Sequence, residues 1–202
     1  MPNCSRCTGK LSYTMQKMHK RKSESFQNRK LLNCELGRIG AEQYGKLPDS
    51  GIVMVLDNIR SAYNVGSAFR TADAFKVDKV FLCGICAVPP SAEIHKTALG
   101  AENSVPWEHS DDTVRTVTEL KSEGYVIISV EQTENAVLLQ NFKPEQGGKY
   151  ALVFGNEVDG VQQSVVDASD MSLEIPQYGT KHSLNVSVSV GVTLWQFVSG
   201  RD

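Results

Sequence analysis

The feature that most restricts this chain is the spacing of its apolar runs from Gly51 onward, where short apolar stretches alternate with helix-length amphipathic ones. Residues 52–56, 79–83, 125–130, 150–154 and 172–175 read as strands. A strand with one wet face alternates apolar and polar residues. The middle runs do not, so they are expected to be covered on both faces. Between them, Val65, Ala68, Phe69, Ala72 and Phe75 recur at helical spacing, as do Val114, Val117 and Leu120. This βαβ rhythm predicts an α/β domain: a mainly parallel sheet with helices on both faces.

At 202 residues, with 41% hydrophobic and 22% charged residues, the chain is long enough for one sizeable core and a short appendage. No apolar run is long enough to span a bilayer, and the first residues lack the apolar stretch of a secretory signal. The expected setting is the cytoplasm, without a membrane partner. The net charge of −2 conceals an asymmetry, because residues 1–48 hold ten Lys or Arg against three Glu, a balance of +7 on an otherwise acidic chain. We therefore divide the chain into a basic extension, 1–48, which ends in a linker over 45–51, and a body, 49–202. Such an arm either grips phosphates or is a solvated tail.

Five cysteines is an odd number, and no disulfide framework is expected of a cytosolic chain. The pairs Cys4/Cys7 and Cys83/Cys86 have the spacing of zinc knuckles, but lie too far apart to form one. No metal is expected, and Cys83 reads as a small hydrophobe closing an apolar run. Toward the end, Leu184, Val186, Val188, Val190, Val192 and Leu194 recur every second residue, which by pattern and propensity is a strand.

Three segments place small and polar residues just past a predicted strand, where open α/β sheets bind ligands. The first runs from Asp57 through Asn64 and Gly66 to Arg70, the second from Gly155 through Glu157 to Gly160, and the third from Ile175 through Gln177 and His182 to Ser183 and Asn185. Taken singly, each has an ordinary reading: Asn64 and Ser183 as helix caps, Arg70 as a solvated helix residue, 155–160 as a strand-to-helix turn. Neither a dinucleotide G-x-G-x-x-G nor a phosphate loop is present. No acid is placed to orient a Ser–His pair, so a hydrolase triad is not indicated.

In order and spacing, these segments resemble the three motifs of the SpoU/TrmH branch of the SPOUT RNA methyltransferases, a likeness that covers about residues 52–198 and includes Lys96-Thr-Ala-Leu-Gly100-Ala101. The resemblance implies a C-terminal trefoil knot, an S-adenosylmethionine cofactor bound in a bent form, and a homodimer in which two subunits make each site. It implies transfer of a methyl group to a ribose 2′-hydroxyl of tRNA or rRNA. Carried over position by position, Asn64, Arg70, Glu157, Ser183 and Asn185 would be the catalytic set. Val130, Gly155, Ile175, Gln177, Ser183 and Leu184 would line the cofactor pocket. The same resemblance makes the segment after Ser183 a helix, against its alternating pattern. A base-nitrogen methyltransferase and a non-catalytic RNA-binding knot are the alternatives.

Overall fold

The computed structural model describes residues 28–199. Cys4, Cys7 and most of the basic extension lie outside that range. Its elements in order are a 3-10 turn at Asn33–Glu35, α1 (Ala41–Tyr44), β1 (Ile52–Asp57), α2 (Ala62–Ala74), β2 (Lys79–Cys83), α3 (Ala92–Ala98), β3 (Trp107–Ser110), α4 (Thr113–Ser122), β4 (Val126–Val130), β5 (Val137–Leu138), β6 (Tyr150–Phe154), α5 (Gln163–Ala168), β7 (Met171–Glu174) and α6 (Val186–Val198). Short 3-10 turns at Ala101–Asn103 and Leu139–Asn141 complete it. The strands form one sheet in the order β3-β2-β1-β6-β4-β7-β5, and every neighbouring pair is parallel. The order steps one way from β1 through β2 to β3 and the other way beyond β6. The crevice past the ends of β1 and β6 is therefore the switch point where such sheets bind ligands.

All six residues of β1 and all five of β6 are buried, and they alternate between two cores. Ile52, Met54, Leu56, Leu152 and Phe154 point to the side covered by α2 and α6, while Val53, Val55, Ala151 and Val153 meet α4 and α5 on the other. Both faces are covered, as the unbroken apolar runs require. Tyr44, inside the stretch read as an extension, is 5% exposed, and its hydroxyl donates to Val77 O at 3.1 Å, so the packed body begins by α1. Among the described residues no helix is long and apolar enough to cross a membrane.

The alternating segment at the C-terminus is a helix, which corrects the strand indicated by its pattern. Residues four apart share a helix face, so a period of two divides into two stripes. One stripe, Val186, Val190 and Leu194 with Phe197 beyond, is buried; the other, Val188, Val192 and Trp195, is exposed at 49, 41 and 61%. Each fully buried member of the first stripe contributes roughly 1.5–3 kcal/mol by leaving water, more than the small helix-propensity deficit of valine. Phe197 lies 5.2 Å from Tyr150 and 5.3 Å from Phe142 between ring centres, and Gln196 Nε2 donates to Phe142 O at 2.9 Å. Together these contacts fix α6 over the segment that leads into β6.

Candidate active site

The starts of α2 and α6 meet past the C-terminal ends of the strands. Ser61 caps α2, its side chain accepting from Asn64 N at 3.3 Å, which leaves the Asn64 amide free to face outward. Asn185 caps α6, with Oδ1 accepting from Ser187 N at 2.9 Å and from Ser187 Oγ at 2.6 Å. Two of the ordinary readings are corrected here: the cap of α2 is Ser61 rather than Asn64, and the cap of α6 is Asn185 rather than Ser183. Asn185 Nδ2 donates to Asn64 Oδ1 at 3.2 Å, and Asn64 Nδ2 donates to Glu157 Oε1 at 2.5 Å. One residue from each of the three segments thus joins a single hydrogen-bonded row. A carboxylate beside helix N-termini is also favoured by their dipoles, an effect of about 0.3–1 kcal/mol at an exposed position.

Glu157 rides on a closed turn. Asn156 and Gly160 exchange backbone hydrogen bonds of 3.1 Å each way, and Asn156 Oδ1 accepts from Val158 N and Asp159 N, both at 2.9 Å. Gly155 is confined by this closure, since a Cβ there would overlap the backbone of Gly160 and Val161. Gly66, the glycine of the first segment, serves the packing of a neighbouring helix. A Cβ on Gly66 would overlap Ile94 O and Thr97 Oγ1, so it admits α3 rather than a ligand.

Next to the row lies a hollow of about 340 Å³, within the range of small-molecule sites. Phe154, Leu173 and Val186 make its apolar floor. All six positions expected to line a cofactor pocket, Val130, Gly155, Ile175, Gln177, Ser183 and Leu184, border this one hollow, as does Glu157. Glu131, Gln132, Asn156, Asp159 and His182 border it too. Gln132 Nε2 donates to His182 O at 2.8 Å, tying the loop after β4 to the loop before α6.

Arg70 is the exception. It is exposed on α2, six residues beyond Asn64 and so roughly 120° away around the helix, and has no hydrogen-bond or ion-pair partner among the described residues. Within one chain it is not brought to the row.

Sequence reasoning gave no role to the carboxylates of Asp57 and Glu131, which accept from the amides of Gln162 and Val161 behind the Glu157 turn. The available signal was an acidic residue ending an otherwise apolar strand, Asp57 directly after 52–56, which a solvated strand end would also show. Cys83 and Cys86 are buried, and burial pushes their thiols up to about 11 and about 12. Cys86 Sγ accepts from Ile59 N at 3.0 Å and donates to Leu56 O at 3.2 Å, a structural arrangement beneath the first segment.

Residues 51–195 match the SpoU rRNA Methylase family. A 23S rRNA (guanosine-2′-O-)-methyltransferase RlmB of Neisseria meningitidis is 34% identical over 148 residues, 73% of this chain and 58% of the relative. The chain spans 56–60% of the length of the first such relatives it matches. Among solved structures, an AdoMet-bound rRNA methyltransferase from Sinorhizobium meliloti superposes with a TM-score of 0.70 at 22% identity, covering 77% of this chain and 59% of that one. The A. aeolicus TrmH/SpoU tRNA modifying enzyme superposes at 0.68 and 24% identity, covering 77% and 79%. At these identities the superpositions speak for the fold, while the match over 51–195 speaks for descent. With the three segments joined in one row at the sheet's switch point, the chain belongs to the SpoU methylase family.

Proposed function

We propose that the protein is an S-adenosylmethionine-dependent methyltransferase acting on a ribose 2′-hydroxyl of RNA. The observation that carries this reading is the Asn185–Asn64–Glu157 row at the mouth of the hollow framed by Gly155 and Ser183. The named action of the 23S rRNA relative favours a guanosine in rRNA over a tRNA position. Such a substrate fits a cytoplasmic protein.

The hollow fits S-adenosylmethionine on its own chemistry. The turn that closes on Gly155 puts backbone at the rim of the hollow, the floor is apolar, and Glu157 and Asp159 offer carboxylates to a cationic ligand. Val130, Gly155, Ile175, Gln177, Ser183 and Leu184 would hold it, and when bound it supplies a methyl group already activated by a sulfonium. The chain's task is then alignment of the hydroxyl and management of its proton. Asn64 and Asn185 fix one another and the Glu157 carboxylate. An arginine does not surrender a proton near neutral pH, so Arg70 serves as a cation that stabilises the developing alkoxide and the neighbouring phosphate, and the hydroxyl proton leaves to that phosphate or to water.

Because Arg70 lies away from the row of its own chain, we place it in the site of a second copy. The exposed stripe Val188, Val192 and Trp195 on α6, with half-exposed Tyr63 on α2, is the surface for that pairing. The dimer and the threading of α6 through the 131–149 segment belong to the same proposal, as does RNA contact by the basic residues of 1–48. Incubating RNA with labelled S-adenosylmethionine and mapping the product tests the reading. A 2′-O-methyl mark is expected; a methyl on a base nitrogen, or none on any RNA with cofactor bound, would overturn it.

A further inference from the structure

The buried carboxylate of Asp57 takes no part in the row just described. It ends β1, is 0% exposed, and gathers four donors, none of them cationic. Oδ1 accepts from Thr113 Oγ1 at 2.7 Å, Gln162 Nε2 at 2.8 Å and Asn58 Nδ2 at 2.9 Å, and Oδ2 accepts from Gln162 N at 2.9 Å. A carboxylate without a counter-cation is costly to bury unless it is hydrogen-bonded, and here both oxygens are engaged, Oδ1 by three donors and Oδ2 by one. Two of the four bonds reach one residue, Gln162, 105 positions away. Directly before it, Val161 N donates to Glu131 Oε2 at 3.0 Å, while Glu131 Oε1 accepts from Gln132 N at 2.8 Å. Consecutive amides at the exit of the Glu157 turn are therefore held by two carboxylates, one ending β1 and one just past β4, the strands on either side of β6. A Cβ on Gly160 would overlap Glu131 Oε2, so the fit is close on that side as well.

We propose that Asp57 is a positioning residue for methyl transfer: through Gln162, and with Glu131 as the second clamp, it fixes the Gly155–Gly160 turn. That turn frames the hollow and presents Glu157 to Asn64. A strand end that needed only a cap would be served by bonds to its own neighbours; Asp57 instead spans to Thr113 at the start of α4 and to Gln162 ahead of α5. The inference rests on the reading that the hollow takes S-adenosylmethionine, but its first measurement does not.

The test compares the wild type with Asp57→Asn, Gln162→Met and Val80→Ala, the last a core truncation in β2 that lowers stability without touching these bonds. Amide hydrogen exchange over 155–162 is read without cofactor, followed by the Kd for S-adenosylmethionine and by kcat and KM. Asn at 57 turns one acceptor oxygen into a donor that faces donors. Exchange in the turn is expected to quicken about tenfold, and the cofactor Kd to rise by a similar factor. Val80→Ala, compared at an equal drop in melting temperature, is expected to move each by less than about twofold. Should Asp57→Asn not fold, Gln162→Met carries the test, since it keeps the carboxylate and three of its donors. It is expected to quicken exchange about threefold. Turn exchange and Kd in the variants no different from Val80→Ala would overturn the proposal. A wild type that binds no S-adenosylmethionine would overturn the functional reading instead, while the exchange result still judges the clamp.

Discussion

Asn185 and Asn64, 121 residues apart in the chain, share a hydrogen bond of 3.2 Å, and through it the cap of α6 becomes part of the site. The two duties of Asn185 are separable by substitution. Asn185→Asp keeps an acceptor for Ser187 N but has no amide to give Asn64, so melting should stay within about 0.5 kcal/mol of wild type while turnover falls at least about tenfold. Asn185→Ala loses the cap as well, at about 1–2 kcal/mol. Thermal melts beside methyl-transfer rates check both; equal turnover in wild type and Asn185→Asp would remove the Asn64 contact from the chemistry.

Gly155 cannot gain a methyl without opening the turn that carries Glu157. Gly155→Ala is expected to destabilise by about 1–3 kcal/mol, in the range of overpacking elsewhere. Its larger effect falls on S-adenosylmethionine affinity, read by calorimetry. An alanine variant with wild-type affinity would show that the closed turn is not what frames the ligand.

Arg70 offers a complementation experiment. Arg70→Ala and Asn185→Ala should each be inactive alone; if Arg70 reaches across a dimer, mixing them rebuilds one intact site in every mixed pair. With random exchange half the dimers are mixed, so about a quarter of wild-type activity should return. No recovery, with mixed dimers demonstrated, would place Arg70 in its own chain's site. Trp195→Glu, which puts a charge on the exposed stripe of α6, should give monomers by light scattering and abolish turnover.

Asp170, ahead of β7, predicts a pH dependence of stability. Burial raises its carboxyl, but the Lys121 ammonium at 2.7 Å and the Ile127 amide at 2.8 Å outweigh that and hold it below the ordinary 3.8. A pKa depressed in the folded state adds stability that is complete above the unfolded value and is lost as pH falls through the folded one. Urea titrations should separate wild type from Asp170→Asn by about 1 kcal/mol at pH 7, a figure reduced for screening at a side chain one-third exposed. The gap should close in strong acid; a gap that persists there would assign the effect to shape rather than charge.

Much of this fold is legible in single residues. The apolar runs mark β1, β2, β4, β6 and β7 to within about a residue at each end. β3 and β5 escape because Trp107-Glu-His-Ser110 and a two-residue strand lie at the sheet edges, with one neighbour each and little apolar pattern to read. In α6 the difficulty is that a period of two also satisfies a helix apolar on two sides, and only the packing of Val190 and Leu194 decides. Local chemistry gives Asn64, Glu157 and Asn185 ordinary readings and only the family resemblance marks them as candidates, because their joining depends on the sheet order that sets β1 beside β6. Asp57 is harder still, since an acid at a strand end has the same appearance in sequence whether it meets water or Gln162.

The position of α6 also bears on how the protein is made. Every strand of the sheet is synthesised before residues 185–198, and until those emerge the hollow lacks Val186 and Ser189 and Asn64 lacks Asn185. A nascent chain thus holds every strand of the sheet before the Asn185–Asn64–Glu157 row can form. The row, and the cover that α6 lays over β1 and β6, therefore wait for the last of the described elements to be made.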